Sequence, residues 1–506
     1  MSRAPVLMVQ GASSSVGKSW LATALCRIYA RRGLRVAPFK AQNMSNNAAV
    51  CPGGGEIGRA QALQAQAAGV APRVEMNPIL LKPEGNRRSQ VVVWGRPWGR
   101  LSAGAYHRRK GELWSVVTDA LDRLRAEHDL VIAEGAGSPA ELNLKPGDLV
   151  NMAVARHADA TVLLVGDIDR GGVFAQLLGT LWLLPPEEQR LVRALVVNKF
   201  RGEPALFVDG VRILEEQGGR PVLGVVPYVP DLLLPREDGA SLPEATALAP
   251  AEMLVIGVVH LPRLANFDDV DPLRAEPDVQ VRFVAHPEEL AQVDAILLPG
   301  SKHTAADLAW LEAQGLATAI REQARAGVPV VGLCGGYQML GRSIRDPLGV
   351  ETDRGEVPGL GLLPVETTFR AEKATYQVKA QIHRGAPWLS SLESTWVEGY
   401  EIHMGQTASP TPWLTIRSRN GQPVQVADGA MSEDGRIWGC YLHGIFANDG
   451  LRRAWLDAVR HWRTGTARRV ARPVSMAERL RQDLERWADT VEAALDMARL
   501  DAMIWE

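Results

Sequence analysis

Two parallel-sheet α/β domains joined by a short linker and closed by a helical C-terminal appendage are the architecture this sequence predicts. Three observations carry that expectation. Short apolar runs rich in β-branched residues alternate with helical stretches from residue 5 to about 235, and the alternation resumes after residue 250. Between the two blocks, the text from Leu234 to Ala251 is polar and punctuated by proline, as a linker is. Beyond residue 450, apolar residues fall at helical spacing among many Arg and Glu. The expected units are 1–235, a linker 236–250, 251–450 and an appendage 451–506; a chain of 506 residues is too long for one core.

In the first unit the buried strands are expected at Val6 to Val9, Val36 to Phe39, Leu130 to Ala133, Thr161 to Val165, Ala194 to Val197 and Val222 to Val226. In the second they are Leu254 to Val259, Val281 to Val284, Ala295 to Leu298 and Val328 to Leu333, with a strand-richer region from about Leu360 to Tyr441. Helices are expected over Leu451 to Trp462 and Ser475 to Ile504. With 56 Lys and Arg against 58 Asp and Glu, the net charge of -2 offers no footprint for nucleic acid or an anionic membrane. Four scattered cysteines without CxxC spacing argue against a disulfide framework or a zinc site, and fit a reducing cytoplasm. No apolar run approaches the roughly 20 residues of a membrane span, and the N-terminal apolar stretch is too short for a signal peptide. A cytoplasmic protein is expected.

The first chemical signature is Gly11-Ala-Ser-Ser-Ser-Val-Gly-Lys-Ser19, between an expected strand and an expected helix. Walker A has four residues between its glycines and this loop has five, yet it keeps what phosphate binding requires. The backbone from Gly11 through Ser13, Ser14, Val16 and Gly17 can cradle phosphate. Lys18 can reach the β/γ-phosphates, and the Ser19 hydroxyl can meet Mg²⁺. ATP and Mg²⁺ are therefore expected here. Three polar segments each follow an expected strand at its carboxyl end, where such sheets bind ligands: Pro38 to Asn47, Gly137 to Asn143 with Asp148 beyond it, and Gly166 to Gly172. Their amides, hydroxyls and lysine suit a large substrate bearing carboxylates and amides, which assigns Lys40, Gln42, Asn43, Ser45 and Asn46 to substrate binding; the alternative is Asx-rich turns that cap helices. Asp148 is expected to act in substrate handling, its alternative being an N-cap for a helix beginning near Leu149.

The second signature surrounds Cys334. The run Val328-Pro-Val-Val-Gly-Leu-Cys334 turns at once into a helical pattern through Gly335 and Gly336, a nucleophile elbow that lifts the sulfur clear of the sheet. A cysteine nucleophile needs a general base. His443, in a glycine-flanked position after a short strand, and His403 are the rivals, with His260 and His303 also near strand ends.

The motif Leu333-Cys-Gly-Gly-Tyr-Gln-Met-Leu-Gly341, the upstream Leu298-Pro-Gly-Ser-Lys302 and the late Tyr441-Leu-His-Gly-Ile-Phe446 resemble a class I glutamine amidotransferase domain. The resemblance implies that Cys334 attacks the amide of L-glutamine, that His443 shuttles protons, and that the backbone of Gly300 and Gly335 forms the oxyanion hole. The usual His-Pro-Glu is here His443-Gly444-Ile445, so the glutamate that orients the histidine is missing and a dyad is expected. The long phosphate loop resembles that of dethiobiotin synthetase, which implies a P-loop NTPase-like fold, a Mg²⁺ role for Glu134 and an adenine-reading role for Asn198. The combination is similar to the cobyrinic/cobyric acid amidase group. Phe39 to Asn47, Glu134 to Glu141, Gly166 to Phe174, Pro299 to Thr304 and Gly399 to Gly405 carry that similarity over nearly the whole chain. It implies ATP- and glutamine-dependent amidation of the b, d, e and g carboxylates of adenosylcobyrinic acid a,c-diamide. Two alternatives stand beside it: the member of the group that forms the a,c-diamide, and a non-catalytic P-loop switch protein.

Overall fold

The structure, a computed structural model, describes residues 3–85, 88–235, 252–352, 354–383, 385–465 and 475–506; the expected linker at 236–250 lies outside them. Six all-parallel strands form the first sheet, in the order Val222–Pro227, Val192–Phe200, Thr161–Asp167, Val6–Gly11, Leu130–Glu134, Val36–Phe39. The bodies of these strands are largely apolar because helices cover both faces, leaving no solvated side to alternate with, while polar residues such as Glu134, Asp167 and Asn198 fall at their carboxyl ends. Val6–Gly11 lies between strands that come later in the chain, so the loops leaving its carboxyl end diverge and open a crevice there.

The second sheet runs Val279–Val284, Leu254–Val259, Ala295–Leu298, Val330–Leu333, Ile437–Cys440, with Ala430–Met431 antiparallel at its edge. The strand-rich region is an antiparallel sheet dominated by the long pair Glu366–Ile382 and Trp396–Ala408. The largest sheet outside the sequence expectation is formed by Gln42–Met44, Ile79–Gly85, Arg88–Val93 and Arg96–Ser102, four strands that project from the first unit toward the second. They carry Lys82 and Gln90 to the wall of the Cys334 cavity.

Residues 451–506, expected as a single appendage, are divided between the two units. Helix Asp449–Thr464 packs Leu451, Trp455, Leu456 and Val459 into the core of the second. Helices Met476–Ala494 and Met497–Trp505 instead bury Leu484, Trp487, Val491, Leu500 and Ile504 against the first. The break at Leu495 and Asp496 is capped by the Asp496 side chain, which accepts from Arg499 N. Arg27, Arg31 and Arg32 pair with acids of these helices. Partly exposed pairs contribute about 0–1 kcal/mol each, against about 1.5–3 kcal/mol for each large apolar side chain buried. The apolar stripe therefore holds the tail. Among the described residues no helix is long and apolar enough to cross a membrane.

Candidate active sites

At the end of strand Val6–Gly11 the phosphate loop turns through Ser15 at φ 59° and Gly17 at φ 98° into helix Lys18–Arg31. Gly17 is required twice over, since a Cβ there would lie 2.3 Å from Asn198 Nδ2 as well as demanding the left-handed backbone. Lys18 is buried and its Nζ donates to the carbonyls of Ser13 and Gly137, each at 3.1 Å. Ser19 Oγ donates to Glu134 Oε1 at 2.8 Å. The Glu134 carboxylate, almost wholly buried, also accepts from Lys40 Nζ at 2.9 Å, Gln64 Nε2 at 2.7 Å and Gln61 Nε2 at 3.3 Å. A carboxyl group this deep is tolerated because both its oxygens are hydrogen-bonded. Hydroxyl and carboxylate oxygens side by side have the hard-donor chemistry of a Mg²⁺ site. No cluster of three or more His, Cys, Asp or Glu forms a complete metal cage among the described residues.

A cavity of about 700 Å³ opens over this loop, lined among others by Lys18, Ser19, Lys40, Gln42, Asn43 and Asp148. Exposed Met44 and Leu144 give it an apolar rim. Ser45 and Asn46 do not line it. Ser45 Oγ accepts from Asn47 N, Asn46 Nδ2 donates to Pro83 O, and the second half of the polar run turns toward the other unit. Asn198 does not line it either: its Nδ2 donates to Val16 O at 2.8 Å and so braces the phosphate loop. Asp148 lines the cavity and also accepts from the backbone, Oδ1 from Val150 N and Asn151 N and Oδ2 from Ala153 N, all at 2.9 Å. These bonds tie Asp148 to the turn that leads into helix Met152–Ala158, whose N-cap position is Asn151 and not Asp148.

In the second unit, strand Val330–Leu333 ends at Cys334, whose φ of 51° and ψ of -107° put the side chain at the crest of the turn into Gly335–Leu340. The turn is this tight because a Cβ on Gly336 would lie 2.0 Å from Leu298 O. Cys334 Sγ faces Ile402 O at 3.6 Å and shares a cavity with His443, Gly300 and Gly335. Gly300 approaches the imidazole so closely that a Cβ there would stand 3.2 Å from His443 Cε1. His443 is 2% exposed, and its Nδ1 lies 2.7 Å from Asp269 Oδ2, while Asp269 Oδ1 accepts from Gly444 N at 2.6 Å. Burial alone would lower the imidazole pKa, but Asp269 and the nearby Cys334 sulfur raise it to about 10. Tyr400 stacks on the ring at 5.1 Å between centroids. His403 lines the same cavity, but both its ring nitrogens are engaged, Nδ1 2.7 Å from Gly405 O and Nε2 3.2 Å from Glu401 Oε1, and its ring stacks on Tyr441.

Asp269 is the residue that reading the sequence missed. It fills the place left by the absent glutamate, from a turn 174 residues earlier in the chain. The available signal was the acid cluster in Asn266-Phe-Asp-Asp-Val-Asp271. Nothing in the spacing ties it to His443.

A cysteine elbow with its histidine and a phosphate loop over a deep crevice, carried on one chain, define a class: glutamine amidotransferases joined to a nucleotide-binding domain. Residues 7–241 match the family described as the CobQ/CobB/MinD/ParA nucleotide binding domain, and residues 255–451 that described as the CobB/CobQ-like glutamine amidotransferase domain. The chain is 57% identical over 505 residues to a cobyric acid synthase of Chloroflexus aurantiacus, covering 99% of each chain. It is 56% identical over 503 residues to that of Chloroflexus aggregans, again covering 99% of each. To that of Moorella thermoacetica it is 49% identical over 505 residues, covering 99% of this chain and 97% of the other. The chain belongs to the cobyric acid synthase family, and it is a glutamine-hydrolysing, amide-forming enzyme.

Proposed function

We propose that the enzyme converts the b, d, e and g carboxylates of adenosylcobyrinic acid a,c-diamide into carboxamides with ATP and L-glutamine, yielding adenosylcobyric acid in cobalamin biosynthesis. The observation that carries this reading is the pairing, on one chain, of the Cys334–His443–Asp269 constellation with a 700 Å³ crevice that presents Lys18, Ser19, Lys40 and Glu134. The names of the relatives support the corrinoid acceptor, and so do the exposed Met44 and Leu144, an apolar rim suited to the face of a macrocycle. Residues 1–235 form the synthetase domain in this reading and 251–450 the glutaminase domain.

The Cys334 sulfur, as thiolate, attacks the side-chain amide carbon of glutamine, and the resulting oxyanion meets the backbone at Gly300 and Gly335. The His443 imidazolium, held by Asp269, gives its proton to the departing ammonia, and the neutral ring then takes a proton from the water that hydrolyses the thioester. In the other domain a carboxylate is a poor electrophile. Its oxygen attacks the γ-phosphorus of ATP, ADP leaves, and ammonia then displaces phosphate from the acyl phosphate. Lys18 lies in the loop that would carry the β/γ-phosphates. Ser19 and Glu134 would hold Mg²⁺, which supplies positive charge beside the transferring phosphoryl group. Lys40, Gln42 and Asn43 face the acceptor. Ser45 and Asn46 support that wall, Asn198 braces the phosphate loop, and Asp148 positions the loop that overhangs the crevice. Mass spectrometry of adenosylcobyrinic acid a,c-diamide incubated with enzyme, ATP, Mg²⁺ and glutamine tests the reading. Stepwise replacement of acid OH by NH₂ at four positions is expected; the absence of amidation with either glutamine or ammonia would overturn it.

A further inference from the structure

The Asp269 turn is gripped by the other domain. Residues 266–269 enter a short 3-10 turn through Asn266 in the left-handed conformation, at φ 51°. Phe267 N donates to Asn47 Oδ1 at 3.2 Å and Ala48 N donates to Asn266 Oδ1 at 3.3 Å, so the end of the polar run is stitched to the turn. Arg59, at the start of helix Arg59–Ala67, donates from Nε to Asp268 Oδ2 at 2.5 Å, with a second contact from its terminal nitrogen to the same oxygen. The guanidinium also sits 5.4 Å from the centroid of the Tyr400 ring, with its terminal nitrogen 3.5 Å from the Tyr400 hydroxyl. Asn266 Nδ2 donates to that hydroxyl at 3.2 Å. Tyr400 is the ring stacked on His443, and its backbone exchanges two hydrogen bonds with the histidine.

Two consecutive buried carboxylates in one turn repel each other and are expensive to desolvate. Asp269 is balanced by His443, and Asp268 by Arg59. We propose that Arg59 is a positioning residue for the glutaminase reaction: from the synthetase domain it fixes both the turn that carries Asp269 and the ring that stacks on His443. Glutamine hydrolysis then depends on a side chain outside the glutaminase domain, and the docked synthetase domain completes the site. The proposal rests on the assignment of Cys334 and His443 made above. It adds the statement that part of their alignment is supplied in trans to their own domain.

The test uses the full-length enzyme and measures glutamine hydrolysis, ammonia-driven amide formation and thermal stability in parallel. Arg59→Ala is expected to lower kcat for glutamine hydrolysis by ~10²-fold, the cost of a small misplacement of reacting groups. KM for glutamine and ammonia-driven synthesis should change by no more than about twofold, as for an interaction made chiefly in the transition state. Arg59→Lys, which keeps the charge opposite Asp268, should recover part of the loss. In an Asp269→Asn background Arg59→Ala should add almost nothing, because both act on one imidazole. Should Arg59→Ala fail to fold, Asp268→Asn breaks the same pair from the other side and is expected to give the same kinetic pattern. Wild-type kcat in these variants overturns the proposal, as does a parallel loss of ammonia-driven synthesis or full additivity with Asp269→Asn. Cys334→Ala is run alongside. If it still hydrolyses glutamine, the assignment of the nucleophile has failed, and that result is separate from any outcome at Arg59.

Discussion

The two sites are assembled in opposite ways. The phosphate loop is nine consecutive residues with much of its shape set locally, by a left-handed glycine, a helix start and a lysine folded back onto the Ser13 carbonyl, and it is braced from outside by Gly137 O and Asn198. The proposed glutaminase site gathers Asp269, Gly300, Cys334 and His443 from four separate segments, and its histidine is held through tertiary contacts. A local site tolerates changes elsewhere in the fold, whereas an assembled site transmits them. The sites should therefore respond differently to substitution.

The largest effect is expected from Cys334→Ala, which removes the sulfur proposed to form the thioester. Glutamine-driven amidation should fall by about 10⁴-fold or more, while high ammonia at alkaline pH restores synthesis. Glutamine-dependent product from this variant would erase the distinction between the sites. Lys18→Ala is the mirror case, with synthesis reduced by ~10³-fold from either nitrogen source and glutamine hydrolysis retained. Assaying both activities in both variants gives the crossed pattern that two separable sites require.

Asp269→Asn should cost ~10²-fold in kcat for glutamine hydrolysis with little change in KM. The orientation of His443 is lost, but a thiol is less dependent on its base than a hydroxyl. The same variant has a signature in stability. Because Asp269 and Cys334 raise the His443 pKa from 6.5 to about 10 against the effect of burial, the imidazolium stabilises the fold fully below about pH 6.5. That contribution is lost as pH rises through about 10. The stability gap between wild type and Asp269→Asn should thus be widest below pH 6.5 and narrow toward pH 10; a gap independent of pH would break the argument. The smallest effect belongs to Asp148→Ala, which leaves three backbone N–H groups without their acceptor and should lower stability by about 1–2 kcal/mol. Asp148→Asn retains one acceptor oxygen and should lose less. Thermal unfolding of the two variants measures the difference.

The sequence by itself determined the first parallel sheet, four strands of the second but neither Ile437–Cys440 nor its antiparallel edge partner, the phosphate loop and the cysteine elbow. Each depends on local information: β-branched runs buried on two faces, glycines where a Cβ has no room, and a strand that turns directly into a helix. It also pointed to the crevice, because loops at the carboxyl ends of parallel strands must line it. Only the tertiary structure decided the rest. The small sheet around Lys82 and Gln90 is held by pairing between strands and by contact with the other domain, neither of which leaves a period in the text. Ser45 and Asn46 read as ligand-facing polar residues, yet the chain turns them away from the crevice, and polarity alone does not say whether a hydrogen bond goes to a substrate or to a neighbouring backbone. Asp148 reads the same whether it caps or binds. Asp269 was invisible for the plainest reason: a carboxylate 174 residues from its imidazole becomes a partner only when the fold has closed the distance to 2.7 Å.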